Sequence, residues 1–114
     1  MSAERMRRVD EAMREVLSDA MAHDLKDPRI GFVTVTEVRT SADLRHARVF
    51  VSVLGDDARR EATLDGLRSA HGVLQRRVAS ELKMKRTPAL TFVYDDTTDR
   101  AMRLERLLRR EQSE

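Results

Sequence analysis

The sequence predicts an α+β fold in which one small sheet is covered on one face by helices, and three observations predict it. Met6, Val9, Met13, Val16, Leu17, Ala20 and Met21 recur at helical spacing near the start. Ala47, Val49, Val51 and Val53 alternate with Arg48, Phe50 and Ser52, the period-two signature of a strand with one buried face. A second helical stripe, Leu64, Leu67, Leu74, Val78 and Leu82, then separates that strand from another β-branched run after Pro88. With 114 residues the chain is the size of one domain, so both periodicities serve a single core.

Each element can be justified in order. Residues 4–23 form an amphipathic helix whose methionine-rich stripe belongs to the core. Pro28 and Gly31 in "HDLKDPRIG" mark a loop. The β-branched run Phe32 to Val38 is a strand, "TSAD" is a connection, and the alternating run completes a hairpin. Gly55 ends the second strand, and Asp56 or Asp57 caps the helix that follows. Gly72 interrupts that helix, where glycine costs about 1 kcal/mol relative to alanine. Because the apolar stripe continues across it, the expectation is two helical pieces meeting at a kink at Ala70, His71 and Gly72. Ala89 to Tyr94 is the third strand, and "DDTTDRAMRLERLLRR" a short terminal helix, acidic at its start and with Arg109 and Arg110 near its end. The domain is expected to span residues 1–110, with 111–114 a short polar ending. Phe32 and Phe92 are expected in the core; Phe50, opposite the valine face, either packs on the terminal helix or stays exposed.

Composition narrows the class of function. No cysteine is present, which removes disulfides and thiolate metal sites and points to a reducing compartment. The charged N-terminal stretch does not resemble a secretory signal, and no window is apolar enough for a membrane span, so a soluble cytoplasmic protein is expected. The net charge is +2, but its placement is uneven. Residues 68–86 carry Arg68, Arg76, Arg77, Lys83, Lys85 and Arg86 against Glu81 alone, while the segments 1–30, 31–67 and 95–114 each carry one more acid than base. Local positive potential of this kind suits a polyanion such as nucleic acid, although a basic helix face is also often simply solvated.

Enzymatic chemistry finds no support. His23, His46 and His71 lie in three different elements without the spacing of a helical zinc site. Asp95, Asp96 and Asp99 lack a calcium-loop pattern and read as a helix start rather than a metal cluster. The serines have no nucleophile-elbow context and no phosphate-binding loop occurs, so neither metal nor cofactor is expected. The aromatic residues are only Phe32, Phe50, Phe92 and Tyr94, without the cluster of an RNA-stacking sheet, and stacking is not expected as the main binding mode.

Five segments in order carry a family resemblance: "RVDEAMREVL" in the first helix, "DPRIGFVTVTEV", "SADLRHARVFVSVLG", "AHGVLQRRVASEL" and "TPALTFVYDDT". Together they resemble the ribosome-binding factor A family of bacterial small-subunit assembly factors, over almost the whole chain. The resemblance implies a variant type II KH domain in which Ala70-His71-Gly72 stands at the interhelical kink where ordinary KH domains have a GxxG loop. It further implies a monomer that binds the 30S subunit and its 16S rRNA, assists late rRNA maturation and processing, is associated with cold adaptation, and needs no membrane or small-molecule substrate. On that basis Arg76, Arg77, Lys83, Lys85 and Arg86 are expected to supply RNA contacts, with Arg45 and Arg48 contributing from the second strand and helix N–H groups after the kink facing phosphate. Arg76 and Arg77 point about 100° apart in a helix, so both need not reach one ligand. The alternatives are a general KH-like RNA-binding protein and, from another class, a protein-binding adaptor.

Overall fold

The structure, a computed structural model, describes residues 2–113; Met1 and Glu114, the outermost residues of the expected domain and polar ending, lie outside the described residues. Helix α1 (Ala3–His23) starts at Ser2, whose Oγ accepts the Arg5 N–H at 3.2 Å. It buries Met13, Val16, Leu17, Ala20 and Met21. Strands β1 (Val33–Thr40) and β2 (His46–Val53) form the antiparallel hairpin, and β3 (Ala89–Tyr94) joins the other edge of β2 in parallel, giving the order β1-β2-β3. A parallel neighbour requires a crossover. Here it is made by α2 (Asp57–Ser69) and α3 (His71–Leu82). Asp56 resolves the choice of cap for α2: its Oδ1 accepts the Arg59 N–H at 2.9 Å.

These three helices lie on one face of the sheet, α1 against β1 and α3, α2 against β3. Ala47, Val49, Val51 and Val53 of β2 meet Leu17, Leu67, Leu74 and Val78 in a single buried cluster with Phe92. Thr63 is the one buried polar residue among the described residues, and its hydroxyl donates to Arg59 O at 2.9 Å while accepting the Gly31 N–H at 3.2 Å. Such pairing offsets the desolvation a buried hydroxyl would otherwise suffer.

Phe32 is not in the core. Its side chain is 81% exposed, and β1 begins one residue after it. The ladder continues past the strand end, with Leu54 N–H donating to Phe32 O at 3.0 Å. Because Val33 and Val53 face the helices, alternation puts Phe32 and Leu54 on the uncovered side. Phe92, by contrast, is buried as expected. Phe50 sits half-buried on the open face, with the guanidinium carbons of Arg39 and Arg48 each 5.5 Å from its ring centroid. Thr36 forms a bulge in β1 opposite it, and the Thr36 hydroxyl donates to Asp95 Oδ2 at 2.6 Å. That bond, with further ones from Thr97, holds the Asp95 carboxyl down to about 2.

The helix break falls at Ala70, not at Gly72. Ala70 ends α2 and precedes α3 with φ −89° and ψ 5°, while Gly72 lies inside the first turn of α3. A Cβ on Gly72 would meet only Arg76 Nη1, at 3.7 Å. Gly66, by contrast, has a packing reason: a Cβ there would fall 2.6 Å from Ile30 Cγ1. The terminal helix α4 is also not short: it runs Thr97–Ser113, 17 residues, with Met102, Leu104, Leu107 and Leu108 about half exposed. Its base is tied down by Asp99, which accepts from the Tyr94 hydroxyl at 2.6 Å and from Arg60 Nη2 at 3.3 Å.

Candidate nucleic-acid interface

Two loops build the basic end of the molecule. The β1–β2 turn closes with Ser41 N–H donating to His46 O at 2.8 Å, and the loop between α3 and β3 is pinned to it where Ala89 N–H donates to Arg45 O at 2.8 Å. This pairing brings Arg45, Lys85 and Arg86 around one shallow hollow of about 500 Å³, lined also by Asp43, Leu44 and Met84. The sequence separates Arg45 from Arg86 by 41 residues, and the parallel pairing of β2 with β3 brings them together. Among the described residues, Asp43 is the only acid lining the hollow. The Ser41 hydroxyl and the Arg45 N–H bond to it and hold its carboxyl below the ordinary value, and its Oδ2 is 4.0 Å from Arg45 Nε.

Lys83 caps α3 in the left-handed conformation, φ 50° and ψ 42°, and Leu44 on the opposite loop has φ 61°. Both conformations favour glycine or asparagine. Strained residues held in place by surrounding structure concentrate at functional sites, and here both flank the basic hollow.

A second feature lies along the open edge of β3. Arg68 and His71, from the two sides of the helix break, line a groove with Leu90, Thr91 and Phe92. His71 Nδ1 lies 2.9 Å from Arg68 O, which holds the ring at the break. No side chain caps the start of α3 at Ala70. Arg76 is exposed and bends back toward Gly72. Arg68 belongs to the basic segment but not to the expected RNA contacts; the signal for it is its place beside the break, which only the position of Ala70 reveals.

Arg77 has a different setting. Its guanidinium binds Asp24 at 2.6 Å, Asp19 of α1, and Glu81 one turn on, and these bonds raise its already high pKa. The side chain is 25% exposed and ties α3 to α1. Arg76 and Arg77 thus divide between surface and scaffold, as their separation of about 100° around the helix allows. Arg48 is on the open face of the sheet beside Phe50, next to Thr91 of β3. Among the described residues no group of three or more His, Asp or Glu is placed to hold a metal ion, and no helix is long and apolar enough to cross a membrane.

A helix-backed three-stranded sheet with a broken crossover helix and basic loops at one end defines a KH-like α+β binding domain. The family model of ribosome-binding factor A matches residues 5–108, and the chain belongs to that family. It is 41% identical over 114 residues to ribosome-binding factor A of Halothermothrix orenii, covering all of this chain and 93% of that protein. The crystal structure of ribosome-binding factor A from Thermus thermophilus superposes with a TM-score of 0.71 at 27% identity, covering 78% of this chain and 93% of that one. A homology model of the T. thermophilus factor fitted into the cryo-electron microscopy map of a 30S complex gives a TM-score of 0.64 at 28% identity, covering 75% and 90% of the two chains.

Proposed function

We propose that this chain is a non-enzymatic assembly factor that binds the free 30S subunit in the cytoplasm and assists late maturation of its 16S rRNA. The observation that carries this reading is the basic end, where two loops converge Arg45, Lys85 and Arg86 on one hollow of a fold shared with a factor fitted into a 30S complex. Lys83, Arg76 and Arg68 extend the positive surface toward the β3 edge, and Arg48 extends it onto the sheet. Arg77 acts as scaffold beneath it. The mechanism is stoichiometric: a monomer that binds one rRNA conformation more tightly than another shifts their equilibrium by that difference. Slow escape of misfolded RNA at low temperature is where such a factor matters most.

Co-sedimentation with isolated 30S subunits, 50S subunits and joined ribosomes across a salt series tests it. Selective pelleting with 30S subunits, weakening as salt rises, is the expected result; equal binding to all three overturns the assembly-factor reading. In the Arg45→Gln, Lys85→Gln, Arg86→Gln triple variant the slope of log affinity against log salt falls by about 0.7–0.9 for each phosphate that the variant no longer neutralises. An unchanged slope removes the hollow from the interface. The exposed leucines of α4 favour a second reading, a protein-binding adaptor. Association that survives RNase treatment would support it instead.

A further inference from the structure

The face of the sheet turned away from the helices carries its own chemistry. β1 contributes Thr34, Glu37 and Arg39 to it, β2 contributes His46, Arg48, Phe50 and Ser52, and β3 contributes Thr91 and Val93. Helices α1, α2 and α3 all serve the buried face. Sequence alternation alone suggests a solvated surface, yet two of the four aromatic residues of the chain lie here. Phe50 occupies the central strand between two guanidinium groups, and Phe32 stands 81% exposed at one end beside Leu54, itself 76% exposed.

We propose that this open face is a second RNA-binding surface, one that takes unpaired nucleotides by stacking their bases on Phe50 and Phe32. It rests on the RNA-binding reading above and names a different surface from the groove at the helix break. Charge favours a polyanion: Arg39, Arg48 and His46 face Glu37, whose carboxylate is already held by Arg39 at 2.8 Å, while Arg48 has no carboxylate partner among the described residues. Shape and chemistry favour unpaired bases. A phenyl ring and arginine planes offer π surfaces to any base, whereas in a duplex the base faces are buried in the stack. The four residue steps from Phe50 to Leu54, whose neighbour is Phe32, span about 13 Å, room for more than one nucleotide. The surface is also continuous with the basic hollow, because Arg45 of the hollow immediately precedes β2 and Arg48 is on that strand.

The test compares an unstructured oligouridine with an RNA duplex of the same length, by fluorescence anisotropy at one fixed salt concentration. Phe32→Ser removes a ring that supports no packing, and Phe50→Leu keeps apolar bulk beneath Arg39 and Arg48. Each lowers oligouridine affinity by about 5- to 100-fold, the range for loss of one stacked base, with duplex affinity unchanged. Phe50→Tyr keeps the affinity of the parent chain. Oligouridine binding at the parent level in both Phe32→Ser and Phe50→Leu overturns the proposal, and so does an equal loss for oligouridine and duplex, which would mean a surface that senses only phosphate. Parent protein that pellets with 30S subunits but does not bind oligouridine overturns this surface while leaving the assembly-factor reading intact; failure to pellet with 30S subunits overturns that reading instead.

Discussion

At the residue scale, two glycines and two arginines that look alike in the sequence have opposite roles. Gly66 faces Ile30 at a distance no Cβ can occupy, so Gly66→Ala should destabilise the fold by about 1–3 kcal/mol through overpacking. Gly72 has open space and ordinary helical geometry, so Gly72→Ala should leave the melting temperature unchanged or raise it, by up to about 1 kcal/mol of stability. Thermal denaturation of the two variants checks both, and a severe loss in Gly72→Ala would restore the kink to that residue. Arg76 and Arg77 separate in the same way. Arg77→Met should lower the melting temperature, more so at low salt, because three carboxylates of α1 and α3 and the residue capping α1 lose their shared cation. Arg76→Gln should leave the melting temperature alone and reduce the salt slope of 30S binding. Melting curves and salt series on both proteins would show the reverse pattern if the roles were exchanged.

At the scale of elements, β2 organises the site. Its inward valines are the centre of the core, its outward residues form the open face, and the turn before it supplies Arg45 to the hollow. The bulge at Thr36 keeps this alternation in register on both sides of Phe50. Helix α4 is joined to the body through Asp99 in its first turn, and residues 101–112 beyond that turn are exposed. A chain ended after Met102 keeps the Asp99 contacts and should therefore melt with the full chain. A clearly lower melting temperature would show that the leucines of α4 pack on the body in solution.

At the scale of the whole molecule, the fold separates stability from recognition. One face of the sheet holds the core and the scaffold arginine, while the other face, the β3 edge and one loop-built end carry Arg48, Arg68, Arg45, Lys85 and Arg86 of the proposed interface. The described residues extend 59 Å along the longest axis and only 18 Å along the shortest, so a small chain offers several surfaces at once. A compact 114-residue sphere would offer fewer. Under the proposed RNA-binding role, separate surfaces on one domain would fix the mutual geometry of the RNA segments they meet.

The amino-acid pattern by itself determined the element order, the α+β class and the basic segment, because amphipathic periodicity and local charge are properties of neighbouring residues. Alternation in β2 and the stripe of α1 each name their buried face without reference to any partner. The tertiary structure decided what depends on distant pairing. Phe32 is exposed because the continuing ladder puts it on the uncovered face, which its β-branched neighbours do not reveal. Arg77 became scaffold because α1 and its cap present Asp19 and Asp24 to it, and Arg45 met Lys85 and Arg86 because β3 pairs with β2 in parallel. Local sequence sets which face of each element is apolar; only the packing of one element on another decides which polar side chains find partners and which are left exposed.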